Sequence, residues 1–227
     1  MFRQLLQRLP SRCFVCHAWP AQAVCEHCVH AFAQPQPRCT TCARVILAGM
    51  QRCGSCIVQP PPLDACHAAV AYAYPWSSLL LQFKFQQHTA WAGFFALLLR
   101  STPWVEPALE QADWLIPMPL SKQRLQERGF NQALLLSQAL QPHKTQPKLL
   151  LRIIDTPAQS TLPRKQRLTS LKNAFMLEPS QTHAIQGKRI VLIDDVMTTG
   201  ATLHAAARVL KAAGAVHVTG LVFARTE

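Results

Sequence analysis

The chain has 227 residues, which is long enough for one domain of ordinary size and a small additional one. Its hydrophobic content of 49% and mean hydropathy of +0.07 indicate a packed core and exclude a disordered chain. The formal net charge is +12, and the longest apolar run, residues 91–99, is far too short to cross a bilayer. The first residues show no signal peptide, so we expect a cytoplasmic protein without membrane insertion.

Four Cys-x-x-Cys pairs occupy residues 13–56, with gaps of eight, ten and ten residues between them. Each pair can form a turn that presents two thiolates to one metal ion, and two pairs complete a tetrahedral site. The simplest arrangement joins neighbouring pairs, although the spacing also fits an interleaved one. The sequence therefore predicts a double zinc ribbon in residues 1–62, with two structural zinc ions and the following ligands: Cys13, Cys16, Cys25, Cys28, Cys39, Cys42, Cys53 and Cys56.

Two other uses of these cysteines fit less well. A disulfide framework belongs to secreted chains, and no secretion signal is present. A redox-active Cys-x-x-Cys pair occurs in a βαβ context, which none of the four pairs has. Because eight thiolates are available, we expect the nearby histidines to be bystanders. We expect the ninth cysteine, Cys66, to be buried in a strand.

Three consecutive prolines at residues 60–62 predict a stiff, extended linker to a second domain of residues 63–227. Beyond the linker, runs that favour strands alternate with runs that favour helices. The alternation predicts an α/β fold with a mainly parallel sheet and flanking helices, whose ligand lies at the carboxyl edge of the strands. The expected strands are 68–74, 113–120, 149–153, 190–193 and 216–223, and the expected helices are 76–87, 91–100, 122–140 and 203–213.

The stretch 190–203 has the features of a phosphate site. Four apolar residues predict a buried parallel strand, and two carboxylates, Asp194 and Asp195, follow it. A turn of small and hydroxylated residues leads into an alanine-rich helix that starts near Thr202. The free N–H groups of that helix can hold a phosphate, while the carboxylates suit ribose hydroxyls or a magnesium shell. The alternative is an ordinary βα turn in which an aspartate caps the helix.

This stretch lacks the pattern of a Walker loop or a dinucleotide fingerprint. It resembles the 5-phosphoribosyl 1-pyrophosphate (PRPP) signature of type I phosphoribosyltransferases. The resemblance implies that Asp194 and Asp195 are catalytic residues that hold the ribose hydroxyls, that Mg²⁺ accompanies PRPP, and that the turn wraps the 5-phosphate. The PRPP-binding residues that it implies here are Val196, Met197, Thr198, Thr199, Gly200, Ala201 and Thr202.

In the same family, a loop after an early core strand holds the pyrophosphate through its backbone, often with an unusual peptide geometry. Residues 117–120 resemble this loop, which adds Met118 and Pro119 to the implied PRPP-binding residues. A cis peptide would cost least at an X-Pro bond, and the loop contains Pro117 and Pro119.

A basic zone follows this loop. Between residues 122 and 172, ten Lys and Arg face only Glu127 and Asp155. Such a zone suits a heavily phosphorylated small molecule or nucleic acid, unless its charges simply face water. Guanidinium groups match phosphate oxygens well, so the candidate pyrophosphate partners are Arg124 and Arg128, together with Lys84 from an earlier helix.

The resemblance extends over the whole chain. Residues 128–132, Arg-Gly-Phe-Asn-Gln, together with residues 116–120 and the cysteine array, resemble the ComF/GntX group. Its members join a zinc ribbon to a phosphoribosyltransferase-like domain and are associated with natural competence or DNA utilisation. The group's next block is matched by Gln159, Leu162, Arg167, Ala174 and Phe175, but Ser170 stands where the group commonly has Asn.

These features imply a PRPP-binding protein linked to DNA uptake, which as an enzyme would transfer phosphoribosyl to a base with release of pyrophosphate. The alternative is a non-catalytic adaptor that binds single-stranded DNA or a DNA-uptake protein through the ribbon and the basic zone. The lack of a recognisable segment for base specificity favours the adaptor. The small number of aromatic residues in the ribbon, in contrast, disfavours DNA contact. A zinc-ribbon transcription factor fits poorly, because most of the chain has an enzyme-like pattern. The acceptor base, the oligomeric state and the partners stay open.

Overall fold

A four-stranded parallel sheet forms the centre of the computed structural model, which describes residues 11–86, 88–153 and 174–227. Its strands lie in the order β1–β6–β5–β2, and β3 and β4 form a separate antiparallel pair. The predicted mainly parallel α/β fold is therefore confirmed. The strands are β1 Ala65–Ala71, β2 Trp114–Pro117, β3 Leu150–Arg152, β4 Phe175–Leu177, β5 Arg189–Met197 and β6 His217–Arg225.

Helices flank this sheet. In the part of the chain that the structure describes, no helix is long and apolar enough to cross a membrane. Short 3₁₀ helices cover Pro142–Lys144 and Pro179–Ile185. The α-helices are α1 Glu26–Phe32, α2 Gly54–Val58, α3 Trp76–Phe85, α4 Trp91–Arg100, α5 Val105–Gln111, α6 Lys122–Arg128, α7 Gln132–Leu140 and α8 Ala201–Ala212.

The apolar run of β5 is explained by burial on both sides of the sheet. Ile190 and Leu192 pack into one buried group, whereas Val191 and Ile193 pack into the other. This division follows from the alternation of side chains along a strand. Both faces are covered, which is typical of parallel sheets.

An aromatic cluster fills the layer between the sheet and helices α3 and α4. Phe95 of α4 stacks on Phe223 of β6 with 4.0 Å between the ring centroids, and Phe83 meets Phe95 edge-on. Trp76 contacts Phe223 from the first turn of α3. Cys13 of the first cysteine cluster belongs to the same buried group, so the first cluster packs on this face.

The opposite face is covered by α8, by the β3–β4 pair and by the second cysteine cluster. Cys39 and Cys42 share a buried group with Leu192 of β5 and Leu203 of α8. The two cysteine clusters therefore lie on opposite faces of one sheet. The boundary at residue 62 stays a prediction, because packing of this kind does not by itself locate a domain boundary.

Several elements differ from their predicted bounds, among them β1, which covers Ala65–Ala71 instead of 68–74, and two of the differences affect the site. Strand β5 continues to Met197, because Asp194, Val196 and Met197 remain paired with β6. The two aspartates consequently lie within the strand instead of following it. The helix expected to continue to Leu140 is broken at Gly129, whose φ of +75° ends α6, and Asn131 then caps α7.

Neither X-Pro bond at Pro117 or Pro119 is cis. Among the described residues, the cis peptides are Trp19–Pro20 and Tyr74–Pro75. Of the predicted ComF/GntX block, Gln159, Leu162, Arg167 and Ser170 lie outside the described residues. Ala174 and Phe175 are described, and both are buried.

The aromatic cluster gives a direct test of the core. Phe95→Ala removes a fully buried ring that contacts Phe83 and Phe223, and we expect a loss of about 3–5 kcal/mol in the free energy of unfolding. The control is Leu97→Ala on the same helix, where the side chain is 55% exposed. We expect that control to change stability by no more than about 0.5 kcal/mol. Equal effects of the two variants in urea unfolding would contradict the packing described here.

Candidate functional site

A cavity of about 270 Å³ lies at the carboxyl edge of the sheet. Its walls come from the ends of β2, β3 and β5, from the segment just after β1, from α6, from the first turn of α8 and from the last turn of α3. In a parallel sheet these strand ends meet at one edge, which is where ligands bind in open α/β folds. The lining residues are Tyr72, Lys84, Met118, Pro119, Leu120, Arg124, Arg128, Arg152, Asp194, Asp195, Val196, Met197, Thr198, Gly200, Ala201, Thr202 and Leu203.

The structure thus brings together nearly all of the residues predicted to bind PRPP. The exception is Thr199, which lines a second cavity on the other side of the turn and accepts a hydrogen bond at Oγ1 from the N–H of Ala201. Sequence reasoning missed Tyr72 and Arg152. The position of Tyr72 just after β1 was a usable signal, since β1 ends at the same edge, whereas nothing local identified Arg152.

The carboxylate pair is held by specific contacts. Asp195 is 6% exposed, and its Oδ2 lies 3.0 Å from Nζ of Lys84. Asp194 accepts a hydrogen bond at Oδ1 from the N–H of Asp195, with a distance of 2.9 Å. The ion pair joins the last turn of α3 to β5 across the cavity.

Burial, and then the neighbouring charge of Asp195, raise the pKa of Asp194 to about 7. Lys84 and Arg128 oppose this shift but do not cancel it. The carboxyl group of Asp194 can therefore exchange a proton near neutral pH.

The cavity is rich in positive charge. Among the described residues that line it, four are cationic and two are acidic. Arg128 is oriented by Gln132, whose Oε1 accepts a hydrogen bond of 3.0 Å from Nη1, and its guanidinium lies 5.2 Å from the ring centroid of Phe85. This excess of positive charge attracts polyanions.

The loop opposite the aspartates is fixed through its backbone. Met118 donates its N–H to the carbonyl of Ile193 at 2.8 Å, and its own carbonyl accepts from Nδ2 of Asn131 at 3.0 Å. Ser121 caps α6 by accepting from the N–H of Arg124. The Arg128–Gln132 segment recognised in the sequence thus shapes this loop as well as supplying a cation.

The phosphate turn, residues 198–202, runs from the end of β5 into the first turn of α8 and requires glycine at its centre. Gly200 has a φ of +80°, and a Cβ atom there would lie 2.4 Å from Cε of Met197. Next to it, burial and the charges of Arg208 and Arg225 lower the pKa of His204 to about 4, so the imidazole is neutral at physiological pH. Helix α8 starts at Ala201, and the positive end of its dipole at this terminus favours an anion in the cavity.

The cysteines form two clusters, and in each one the four sulfur atoms lie within 4.8 Å of one another. Neighbouring Cys-x-x-Cys pairs come together in each cluster, so the arrangement is not interleaved. The first cluster contains Cys13, Cys16, Cys25 and Cys28, and the second contains Cys39, Cys42, Cys53 and Cys56. Sγ–Sγ distances of 3.9, 3.6 and 3.7 Å match the edge of a tetrahedron with ligands about 2.3 Å from a central zinc ion, about 3.8 Å. No disulfide joins any of the nine cysteines. Each donor set therefore fits a structural metal ion.

The raised pKa of Asp194 predicts a pH-dependent stability. Between about pH 4 and pH 7 the folded state keeps a proton that the unfolded state releases, so this residue destabilises the fold as the pH rises through that window. We expect Asp194→Asn to melt like the wild type near pH 4 and several degrees higher at pH 8.

Asp113→Asn is the matched control with the opposite sign, because the N–H of Arg189 lowers the pKa of Asp113. We expect this variant to be less stable than the wild type at pH 7 and equal to it at low pH. Thermal unfolding across this pH range checks both variants. Parallel curves for Asp194→Asn and the wild type would contradict the assignment.

Known proteins resemble this chain over most of its length. The family model for the phosphoribosyl transferase domain matches residues 156–226. The DNA utilization protein YhgH of Escherichia coli K12 is 31% identical over 232 aligned positions, which cover 96% of this chain and 98% of the relative. Competence protein F of Haemophilus influenzae is 35% identical over 78% of this chain and 80% of its own length.

The match to competence protein ComFC of Bacillus subtilis is 43% identical but covers only 42% of this chain and 37% of the relative. The similarity to YhgH, in contrast, runs through the cysteine clusters and the sheet alike. From its fold, its two four-cysteine clusters and its relatives, the chain belongs to the ComF/GntX family.

Proposed function

We propose that the protein binds Mg²⁺–PRPP at the carboxyl edge of the sheet and acts in DNA uptake or utilisation. One observation carries this proposal: a single cavity contains the carboxylate pair, the phosphate turn and the cations. The names of the relatives, DNA utilization protein and competence protein, support the biological role. A cytoplasmic location belongs to the same proposal.

Each wall of the cavity has a chemical role in this proposal. Asp194 and Asp195 hold the ribose hydroxyls, the turn 198–202 binds the 5-phosphate, and Met118 and Pro119 face the pyrophosphate with Lys84, Arg124 and Arg128. Mg²⁺ would neutralise pyrophosphate oxygens and polarise the leaving group. The carboxylates are the residues suited to hold this ion.

With a base as acceptor, the reaction is displacement of pyrophosphate at C1 of the ribose through a cationic, sugar-centred transition state. Carboxylates beneath the ribose stabilise the positive charge, and the cations stabilise the departing pyrophosphate. Both groups line the same cavity, and Lys84 contacts Asp195 directly at 3.0 Å. A pKa near 7 suits Asp194 to receive the proton of an incoming base.

We further propose that each cysteine cluster binds one structural zinc ion. Closed four-thiolate sites do no chemistry, and their binding energy folds segments that have little core of their own. Here the clusters also pack on the two faces of the sheet, so the metal ions would stabilise the core on both faces.

The second candidate function is that of a non-catalytic adaptor for single-stranded DNA or a DNA-uptake protein. A cavity of about 290 Å³ between the second cysteine cluster and α8 favours it. Arg44 and Arg208 are exposed at its rim, and none of its described lining residues is a carboxylate. The PRPP titration below separates the two candidates, since an adaptor of this kind has no need for PRPP.

Calorimetric titration with Mg²⁺–PRPP tests the leading proposal. We expect saturable binding by the wild type and a loss of more than about tenfold in affinity for Asp194→Asn/Asp195→Asn, because hydrogen bonds to charged groups are each worth about 1.5–3 kcal/mol. The affinity of the wild type should increase from pH 6 to pH 8 as Asp194 ionises.

The matched control is Glu127→Gln, which removes an exposed carboxylate of α6 that does not line the cavity. We expect it to bind PRPP like the wild type. A zinc-replete, folded wild type that bound no PRPP would refute the leading proposal and favour the adaptor. Binding would justify a screen of bases for pyrophosphate release.

Metal analysis tests the zinc proposal. We expect two zinc ions per chain in the wild type and one in either Cys13→Ser or Cys39→Ser, since each variant disables a single cluster. Cys66→Ala is the control that should keep both ions, because burial raises the pKa of this thiol to about 12 and it belongs to neither cluster. Chelation should lower the melting temperature. An unchanged metal content in the ligand variants would contradict the assignment.

A further inference from the structure

We propose that Arg225 is a positioning residue that holds the phosphate turn in its anion-binding conformation by tying it to the second cysteine cluster. Arg225 lies at the end of β6, and its side chain does not line the 270 Å³ cavity. The inference rests on the proposed function of that cavity as a PRPP site. It adds a residue that neither the sequence patterns nor the lining of the 270 Å³ cavity identified.

The guanidinium of Arg225 bridges two parts of the structure. Arg225 is 3% exposed. Its Nε donates to the carbonyl of Cys42 at 2.9 Å, in the Cys39–Cys42 turn (the knuckle) of the second cluster. Its Nη1 donates to the carbonyls of Met197 and Thr198, which are the last residue of β5 and the first residue of the turn. One side chain therefore connects a predicted metal ligand to the start of the phosphate turn.

The contacts to Met197 and Thr198 occur where the chain leaves the sheet. Beyond Met197 the ladder with β6 ends, so the carbonyl groups of the turn need other donors. Arg225 donates to the carbonyls of Met197 and Thr198, and its Nη1 also contacts the carbonyl and hydroxyl of Thr226, whose N–H bonds to Met197. These bonds fix the backbone at the point where it leaves β5, and they thereby position the turn that follows beside the cavity.

A charged hydrogen-bond donor suits this task. A buried guanidinium must be satisfied by acceptors, and charge-assisted bonds are stronger than neutral ones. Its planar shape also directs Nε and Nη1 to different partners at fixed angles, which a lysine ammonium does not do. The arrangement therefore restrains the distance between the turn and the knuckle.

A second residue near Arg225 also contacts the segment of the second cluster. The carboxylate of Glu227 forms an ion pair of 2.8 Å with Arg38 and accepts a hydrogen bond of 2.9 Å from the N–H of Val45. Arg225 and Glu227 are thus both bonded to the segment that carries Cys39 and Cys42. The first cluster, by contrast, packs on the opposite face of the sheet.

The test compares two probes that occupy different parts of the cavity. Ribose 5-phosphate uses the phosphate turn and the aspartates, whereas Mg²⁺–pyrophosphate uses the 117–120 loop and its cations. We expect Arg225→Ala to lower the affinity for ribose 5-phosphate by about ten- to a hundredfold, because charged hydrogen bonds are lost. The affinity for Mg²⁺–pyrophosphate should change by less than about threefold. Arg225→Lys should give an intermediate loss for ribose 5-phosphate.

Arg189→Ala is the control for loss of positive charge, because Arg189 starts β5 at the opposite edge of the sheet. We expect it to bind both probes like the wild type. Cys39→Ser should also lower the affinity for ribose 5-phosphate, as Arg225→Ala does. Cys16→Ser in the first cluster should leave this affinity unchanged.

The outcomes are distinguishable. Unchanged ribose 5-phosphate affinity in Arg225→Ala would overturn the inference while leaving the PRPP site intact. Equal losses for both probes, in proportion to a lower melting temperature, would also overturn it, since they indicate general destabilisation. A folded wild type that bound neither probe would refute the proposed function itself. Selective loss of ribose 5-phosphate supports the inference.

Discussion

The parallel pairing of β5 with β6 on one side and β2 on the other is the interaction on which the site depends. Its register sets Pro117 beside Ile193 and Met197 beside Arg225. Three segments that are far apart in sequence consequently end at the same edge. The hydrogen-bonded ladders hold them rigidly, so the aspartates, the Met118 loop and the phosphate turn face one cavity. A one-residue shift of β5 would turn its buried side chains to the wrong faces.

Charge is concentrated at this edge at some expense to stability. Two adjacent carboxylates are partly removed from water, and the proximity of Asp195 helps to hold a proton on Asp194. Lys84 compensates Asp195 at 3.0 Å, but the remaining cations have no equal number of acids in the described cavity lining. An anionic ligand would supply the missing negative charge. Sites of this kind commonly trade stability for binding.

The cysteine clusters are integral to the layers of the structure. One cluster packs with the aromatic face of the sheet, and the other packs with α8 and the β3–β4 pair. The N–H of Cys66 in β1 bonds to the carbonyl of Thr40 at 2.7 Å, which continues the contact between the second cluster and the sheet. Metal binding would therefore affect the same core that supports the cavity. The contacts between the clusters and the sheet are not evident from the sequence, where a proline linker separates the two segments.

The sequence by itself determined the cysteine pairs, the α/β class and the local phosphate motif, because each depends on spacing within a short segment. It also indicated most of the residues around the cavity, although their grouping rested on a family resemblance. It could not locate the end of β5, identify Arg152 or separate Thr199 from its neighbours in the turn. Those features depend on contacts between distant segments, as does the joining of Arg225 to Cys42. Only the tertiary structure decides them, because strand register and the packing of opposite faces have no local signature.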